Sequence, residues 1–167
     1  MTVTTEPDFL DRVTAQWADE RPDLEPLIAM AVFGRVYRSA KLMGDRIEDV
    51  YATFGIDRGG FDVLATLRRA GEPYTLSPKH LIASMMLSSG GMTARLDRLE
   101  KGGFVSRAPD PNDRRGQLVT LTPKGFETVH AAVGAGLAEQ AKVLAKVSEP
   151  EKLGDLLREL LAGFNAE

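Results

Sequence analysis

The stretch Ser88–Gly125, SSGGMTARLDRLEKGGFVSRAPDPNDRRGQLVTLTPKG, decides how the rest of the chain is read. Met92, Leu96 and Leu99 recur at helical spacing, with Ser88 and Ser89 as N-cap candidates and Gly102-Gly103 as the stop. Phe104–Arg107 and Leu118–Leu121 have the composition of strands. Between them, Pro109–Gly116 is dense in turn formers and is expected to be a loop. A helix carrying basic residues, followed by a hairpin tipped with Arg114 and Arg115, suits a nucleic-acid duplex. The helix fits the major groove and the tip reaches the backbone or the adjacent minor groove. The expectation is a winged helix.

Working outward, Ser77-Pro78 opens a short helix to about Met86, with Leu81, Met85 and Ile82 as inward candidates. Leu87–Gly90 is the turn that completes a helix-turn-helix. Upstream, Gly55–Gly60 reads as a connector, and a helix begins at Phe61 and ends near Gly71, with Phe61, Leu64 and Leu67 inward. Tyr74–Leu76 has room for one short strand. A short amphipathic helix over Asp8–Glu20 carries Phe9, Leu10, Val13 and Trp17. The next helix is long, about Leu24–Phe54. Its seam of Val36, Ala40, Met43, Ile47, Val50 and Phe54 steps by fours and threes, as in a helix packed on a partner. A kinked core helix is the alternative, since Gly34 and Gly44 permit a bend. Downstream, Thr122-Pro123 starts a helix to about Val147 with Phe126, Val129, Val133, Leu137 and Leu144 on one face. A leucine-rich terminal helix follows Pro150. The organisation expected is a single domain over residues 1–167. Helices of residues 8–54 and 123–167 serve dimerisation, and a winged helix-turn-helix occupies 61–122. The fold class is mostly α, an α+β winged helix with flanking helices.

Composition narrows the function. The 167 residues contain no cysteine, which excludes disulfides, thiol catalysis and cysteine-based metal sites. No signal-like apolar run opens the chain, and no stretch approaches ~20 apolar residues. A cytoplasmic protein without a membrane partner is expected. The net charge of −3 hides an asymmetry: Arg68–Gly125 holds ten Lys/Arg against five acids, hence +5, leaving −8 elsewhere. Such a basic module directs a polyanion to one face, although an ordinary solvated surface also clusters charge by chance. His80 and His130 are too few and too far apart in sequence for a metal site. No Ser-His-acid constellation or phosphate loop is arranged in the motifs, so no enzyme and no cofactor are expected.

The run Asp110–Gly125 resembles the wing of the MarR family of bacterial transcription regulators, a DxxDRR segment followed by a strand and LTxxG. Thr93–Val105 is similar to that family's recognition helix and its exit. The resemblance implies a homodimer, triangular in outline, whose terminal helices interlock and whose winged lobes grip a pseudo-palindrome of double-stranded DNA. It implies DNA contact by Ser89, Gly90, Thr93, Ala94, Arg98, Arg114 and Arg115; solvated positions on the helix and at the hairpin tip are the alternative.

A narrower resemblance, to the urate-responsive HucR/PecS-like branch, rests on Trp17, Asp62, Arg95 and Arg107. It implies that these four bind a small anionic effector, urate or another purine-like molecule. The anion would compete for Arg107, repel Asp62 and shift the recognition helix, relieving repression. Two other readings stand beside it: a plain Asp62–Arg107 salt bridge fixing helix to wing, and a Trp17 helix that anchors the dimer. The chain departs from the branch at His80 and Ile82, where an acidic or polar residue and a small one are usual. The same fold sensing another carboxylate or a phenol, or serving as a protein-interaction module, remains open at this point.

Overall fold

The computed structural model describes residues 6–85, 91–111 and 113–164, the side chains of residues 114 and 115 excepted. Seven helices and three strands follow in the order α1 (Phe9–Glu20), α2 (Leu27–Ala52), α3 (Arg58–Arg69), β1 (Thr75–Leu76), α4 (Pro78–Ser84), α5 (Met92–Lys101), β2 (Val105–Asp110), β3 (Asp113–Leu121), α6 (Pro123–Leu144) and α7 (Pro150–Gly163). They are mostly α with one small sheet, as the residue patterns predict. The chain divides into two compact units, Arg46–Glu139 and the pair Met1–Asp45 with Gln140–Glu167.

The unit Arg46–Glu139 is built around α3, which is buried continuously from Asp62 to Leu67. Val63, Leu64 and Leu67, with Leu81 of α4, Val119 of β3 and Val129 of α6, are its largest fully buried side chains. The helix begins at Arg58, three residues before the expected start, because Asp57 acts as its N-cap and accepts from Gly60 N–H at 2.6 Å. A dipeptide of glycines lowers helix propensity, but the cap and the burial of Gly60 outweigh it. The Arg95 guanidinium lies over Gly59, where a β-carbon would require it to move. Tyr51 of α2 stacks on Phe61 with ring centroids 4.0 Å apart, and its hydroxyl lies over Gly136 of α6. Burial pushes the Tyr51 phenol above its ordinary pKa.

The strands form one antiparallel sheet in the order β1-β3-β2. Val105 faces Leu121, Arg107 faces Val119, and the register shifts between Pro109 and Asp110 before Asp110 meets Asp113. Pro109–Gly116 is therefore not the loop expected from its composition. Backbone pairing carries both strands almost to the tip, and the prolines sit where the ladder is already irregular.

A further expectation is corrected. The Ile82 side chain is exposed, with Leu81 taking the buried position of α4. Helix α6 ends at Leu144 and buries Val129, Ala132 and Gly136, leaving Val133, Leu137 and Leu144 in solvent.

In the second unit, α1 is fixed to α2 by charge and by one apolar anchor. Asp8 caps α1 in a reciprocal box with Asp11. Arg35 of α2 then bonds both carboxylates, Nε to Asp8 Oδ2 at 2.9 Å and Nη2 to Asp11 Oδ1 at 2.6 Å. Leu10 is the buried residue of α1, whereas Phe9 and Trp17 are exposed. Phe164 meets Phe33 edge-on at 6.1 Å, yet α7 buries none of its residues. Among the described residues no helix is long and apolar enough to cross a membrane.

Candidate nucleic-acid interface

Helix α5 is amphipathic by construction. Met92, Leu96 and Leu99 are buried toward α3, and Thr93, Ala94, Asp97 and Arg98 are exposed on the other side. Its start differs from expectation: Gly91, not a serine, holds the N-cap position, in a left-handed conformation and without a side-chain cap. Ser88, Ser89 and Gly90 lie outside the described residues. Its end matches the reading of Gly102-Gly103. Gly103 is left-handed at φ 73°, Phe104 N–H donates to Leu99 carbonyl and Gly103 N–H to Glu100 carbonyl, so the last carbonyls are satisfied. That motif turns the chain directly into β2.

The exit is then locked from the other side. The Thr122 hydroxyl lies 2.6 Å from the Gly103 carbonyl and accepts from Gly125 N–H at 3.0 Å, capping α6. Lys124 Nζ donates to the Gly102 carbonyl at 2.7 Å and sits over the Phe104 ring. Helix α5, the hairpin and the start of α6 are thus one mechanically continuous element, as a reader of a duplex requires.

The expected site residues fall into distinct places. Thr93 and Ala94 are exposed on α5 as anticipated. Arg98 is exposed too, but its guanidinium is engaged: Nη2 bonds Asp57 Oδ2 at 2.9 Å, at the start of α3. Arg95 is half-buried and, with Arg98, Asp57 and Leu99, lines a cleft of about 90 Å³. The side chains of Arg114 and Arg115 lie outside the described residues; their backbone belongs to β3 near the hairpin tip.

Asp62 is 5 % exposed, a buried carboxylate on the inward face of α3. Arg107 is bonded to two carboxylates of α5. Its Nε donates to Glu100 Oε2 at 2.9 Å, its Nη2 reaches the same oxygen at 2.5 Å and Asp97 Oδ1 at 2.7 Å, and its backbone N–H donates to Glu100 Oε1 at 3.2 Å. Trp17, 42 % exposed, belongs to the other unit.

These bonds hold the Glu100 carboxyl below the ordinary glutamate range, chiefly through the Arg107 hydrogen bond, and raise Arg107 further above its already high value. Sequence reasoning missed Asp97 and Glu100. The signal was available: two acids at i and i+3 on a helix otherwise supplied with Arg95, Arg98 and Lys101 need a partner if that helix is to approach a polyanion. Among the described residues no group of three His, Cys, Asp or Glu is placed to hold a metal ion.

Known proteins are similar to this chain in sequence and fold. A family model described as the MarR family matches residues 54–116, from just after α2 into β3. The transcriptional regulator PecS of Dickeya dadantii is 36% identical over 140 residues, 84% of each chain. The multiple antibiotic resistance protein MarR of Salmonella typhimurium is 33% identical, covering 77% of this chain and 90% of its own length. A MarR family regulator from Streptomyces coelicolor, solved in complex with DNA, superposes with a TM-score of 0.72 at 23% identity, over 84% of this chain and 89% of that one. With relatives this similar over most of its length, an exposed helix continuous with a charged hairpin, and a buried α3 beneath both, the chain belongs to the MarR family of winged-helix, DNA-binding transcriptional regulators.

Proposed function

We propose that the chain is a homodimeric repressor of a pseudo-palindromic operator, released from DNA by a small aromatic anion such as urate or a related purine. The observation that carries the DNA reading is the exposed face of α5, backed by a buried face and joined without slack to the hairpin. Two copies of α5 enter successive major grooves about one turn (~10 bp) apart. Thr93, Ala94 and Arg98, with Ser89 and Gly90 before them, face the groove; Arg114 and Arg115 take phosphate or minor groove at the hairpin. The unburied leucines of α7, with Val133, Leu137 and Leu144 of α6, support self-association.

The ligand class rests on the likeness to PecS over most of the chain and on the residue types at Trp17, Asp62, Arg95 and Arg107. An arginine exchanging carboxylate partners for a ligand anion needs a coupling of only ~1–3 kcal/mol to change DNA affinity ~5–150-fold. A mobility-shift assay with the DNA upstream of its own gene, titrated with salt, tests the first half. Binding that falls steeply with salt is expected; absence of binding overturns it. The single Trp17 reports the second half. Urate or xanthine is expected to quench it and to release DNA, with citrate inert. No quench and no release at millimolar urate and xanthine would sink the purine assignment.

A further inference from the structure

Helix α5 carries two carboxylates that ill suit its task. Asp97 stands one turn beyond Thr93 on the exposed face and is 56 % exposed; Glu100 follows three residues later. Duplex DNA presents one negative charge per ~1.7 Å, so either acid pointing outward opposes the approach of the helix. Both instead converge on one guanidinium from the neighbouring strand, that of Arg107, which is 22 % exposed. Arg98 of α5 is turned toward Asp57. Partly exposed ion pairs contribute little to stability, about 0–1 kcal/mol. The effect of this cluster therefore lies in where it puts charge.

We propose that Arg107 is a positioning residue for DNA binding: it draws the Asp97 and Glu100 carboxylates onto β2, halves the negative charge they project, and so opens the face of α5 to phosphates and base edges. When Arg107 is absent or drawn away, the same two carboxylates face the DNA. The inference rests on the reading of α5 as the groove-facing helix.

The test is a charge cycle on DNA affinity, measured by fluorescence anisotropy with duplex from upstream of its gene. The unmodified chain is compared with Arg107→Ala, Arg107→Lys, the pair Asp97→Asn with Glu100→Gln, and the triple variant. Arg107→Ala is expected to weaken binding about tenfold or more, with the deficit shrinking as salt rises. Arg107→Lys is expected to fall between the alanine variant and the unmodified chain, because it keeps the charge but not the forked grip on both carboxylates. The carboxylate pair alone is expected to tighten binding modestly, since it removes the charge that Arg107 leaves uncancelled, and the same pair is expected to add more affinity to Arg107→Ala than to the unmodified chain, restoring most of the loss. This non-additivity is the signature. A triple variant no tighter than Arg107→Ala, a lysine variant as weak as the alanine one, or an alanine variant equal to the unmodified chain each overturns the proposal. If Arg107→Ala loses its helical circular dichroism, Arg107→Gln takes its place in the cycle with the same expectations. Failure of the unmodified chain to bind in a salt-dependent way overturns the DNA reading and this inference with it; binding with an additive cycle overturns this inference alone.

Discussion

Helices α3 and α7 have similar apolar content and opposite fates. In α3 every residue from Asp62 to Leu67 is buried within its own unit; in α7, Leu153, Leu156, Leu157 and Leu161 all remain in solvent. The difference lies in what surrounds them. Helix α3 has α4, α5 and β3 packed against it, so its hydrophobic surface is satisfied inside one chain. Helix α7 has a leucine face and little of its own chain to cover it. One helix stabilises a fold; the other leaves an exposed leucine face, on which the proposed self-association rests.

That contrast can be broken or sharpened by substitution. The largest effect is expected in α3. Leu64→Ala leaves a void in a side chain that is 0 % exposed and should cost ~2–5 kcal/mol, read as a lowered midpoint in denaturant unfolding. A loss below ~1 kcal/mol would mean that the lobe is not organised around α3.

Leu156→Glu in α7 should leave that lobe intact and abolish self-association, seen as monomer in analytical ultracentrifugation. Operator affinity then falls on the order of a hundredfold as two linked half-site contacts become one. A dimer surviving this change would place the interface elsewhere.

A smaller effect is expected from Asp57→Ala, which removes the α3 cap and the partner of Arg98. It should destabilise by ~1 kcal/mol in thermal unfolding, while the corresponding change at Glu149 before α7, whose side chain makes no cap bond, is near neutral.

The smallest is a pH effect shared by both units. Asp8 and Glu100 are each held below their ordinary carboxyl values by hydrogen bonds from an arginine, Arg35 and Arg107 respectively. Folding therefore gains from them fully above the unfolded-state values, and the gain is lost as pH falls through the lower folded values. Stability should be flat near neutrality and decline only on acidification below about pH 4.5, where an unperturbed glutamate protonates. Arg35→Ala and Arg107→Ala should each flatten part of that acid limb; an unchanged limb would mean that neither pair carries it.

Much of the fold was legible in the residues because its signals are local. Ser77-Pro78, Thr122-Pro123 and Gly102-Gly103 mark helix ends through backbone chemistry that acts over three or four residues. The apolar triplet of α5 likewise shows which face that helix turns inward. Where local chemistry competes with long-range pairing, the reading failed. Pro109–Gly116 has turn composition, yet strand backbone of β2 and β3 runs through most of it. Gly59-Gly60 reads as a break, yet Asp57 and the core draw it into α3.

The sequence by itself determined which elements exist, that α5 carries one apolar face and one exposed face, and that a basic helix precedes a charged hairpin, because periodicity and capping are properties of neighbouring residues. Only the tertiary structure decided what stands opposite each face. It set Tyr51 against Phe61 and Gly136, and so buried Ala132 and Gly136 of α6 while Val133 and Leu137 stayed outside. It also gave Arg107 to Asp97 and Glu100. A charged side chain's partner is chosen by distance in space across two elements, and no spacing along the chain encodes that distance.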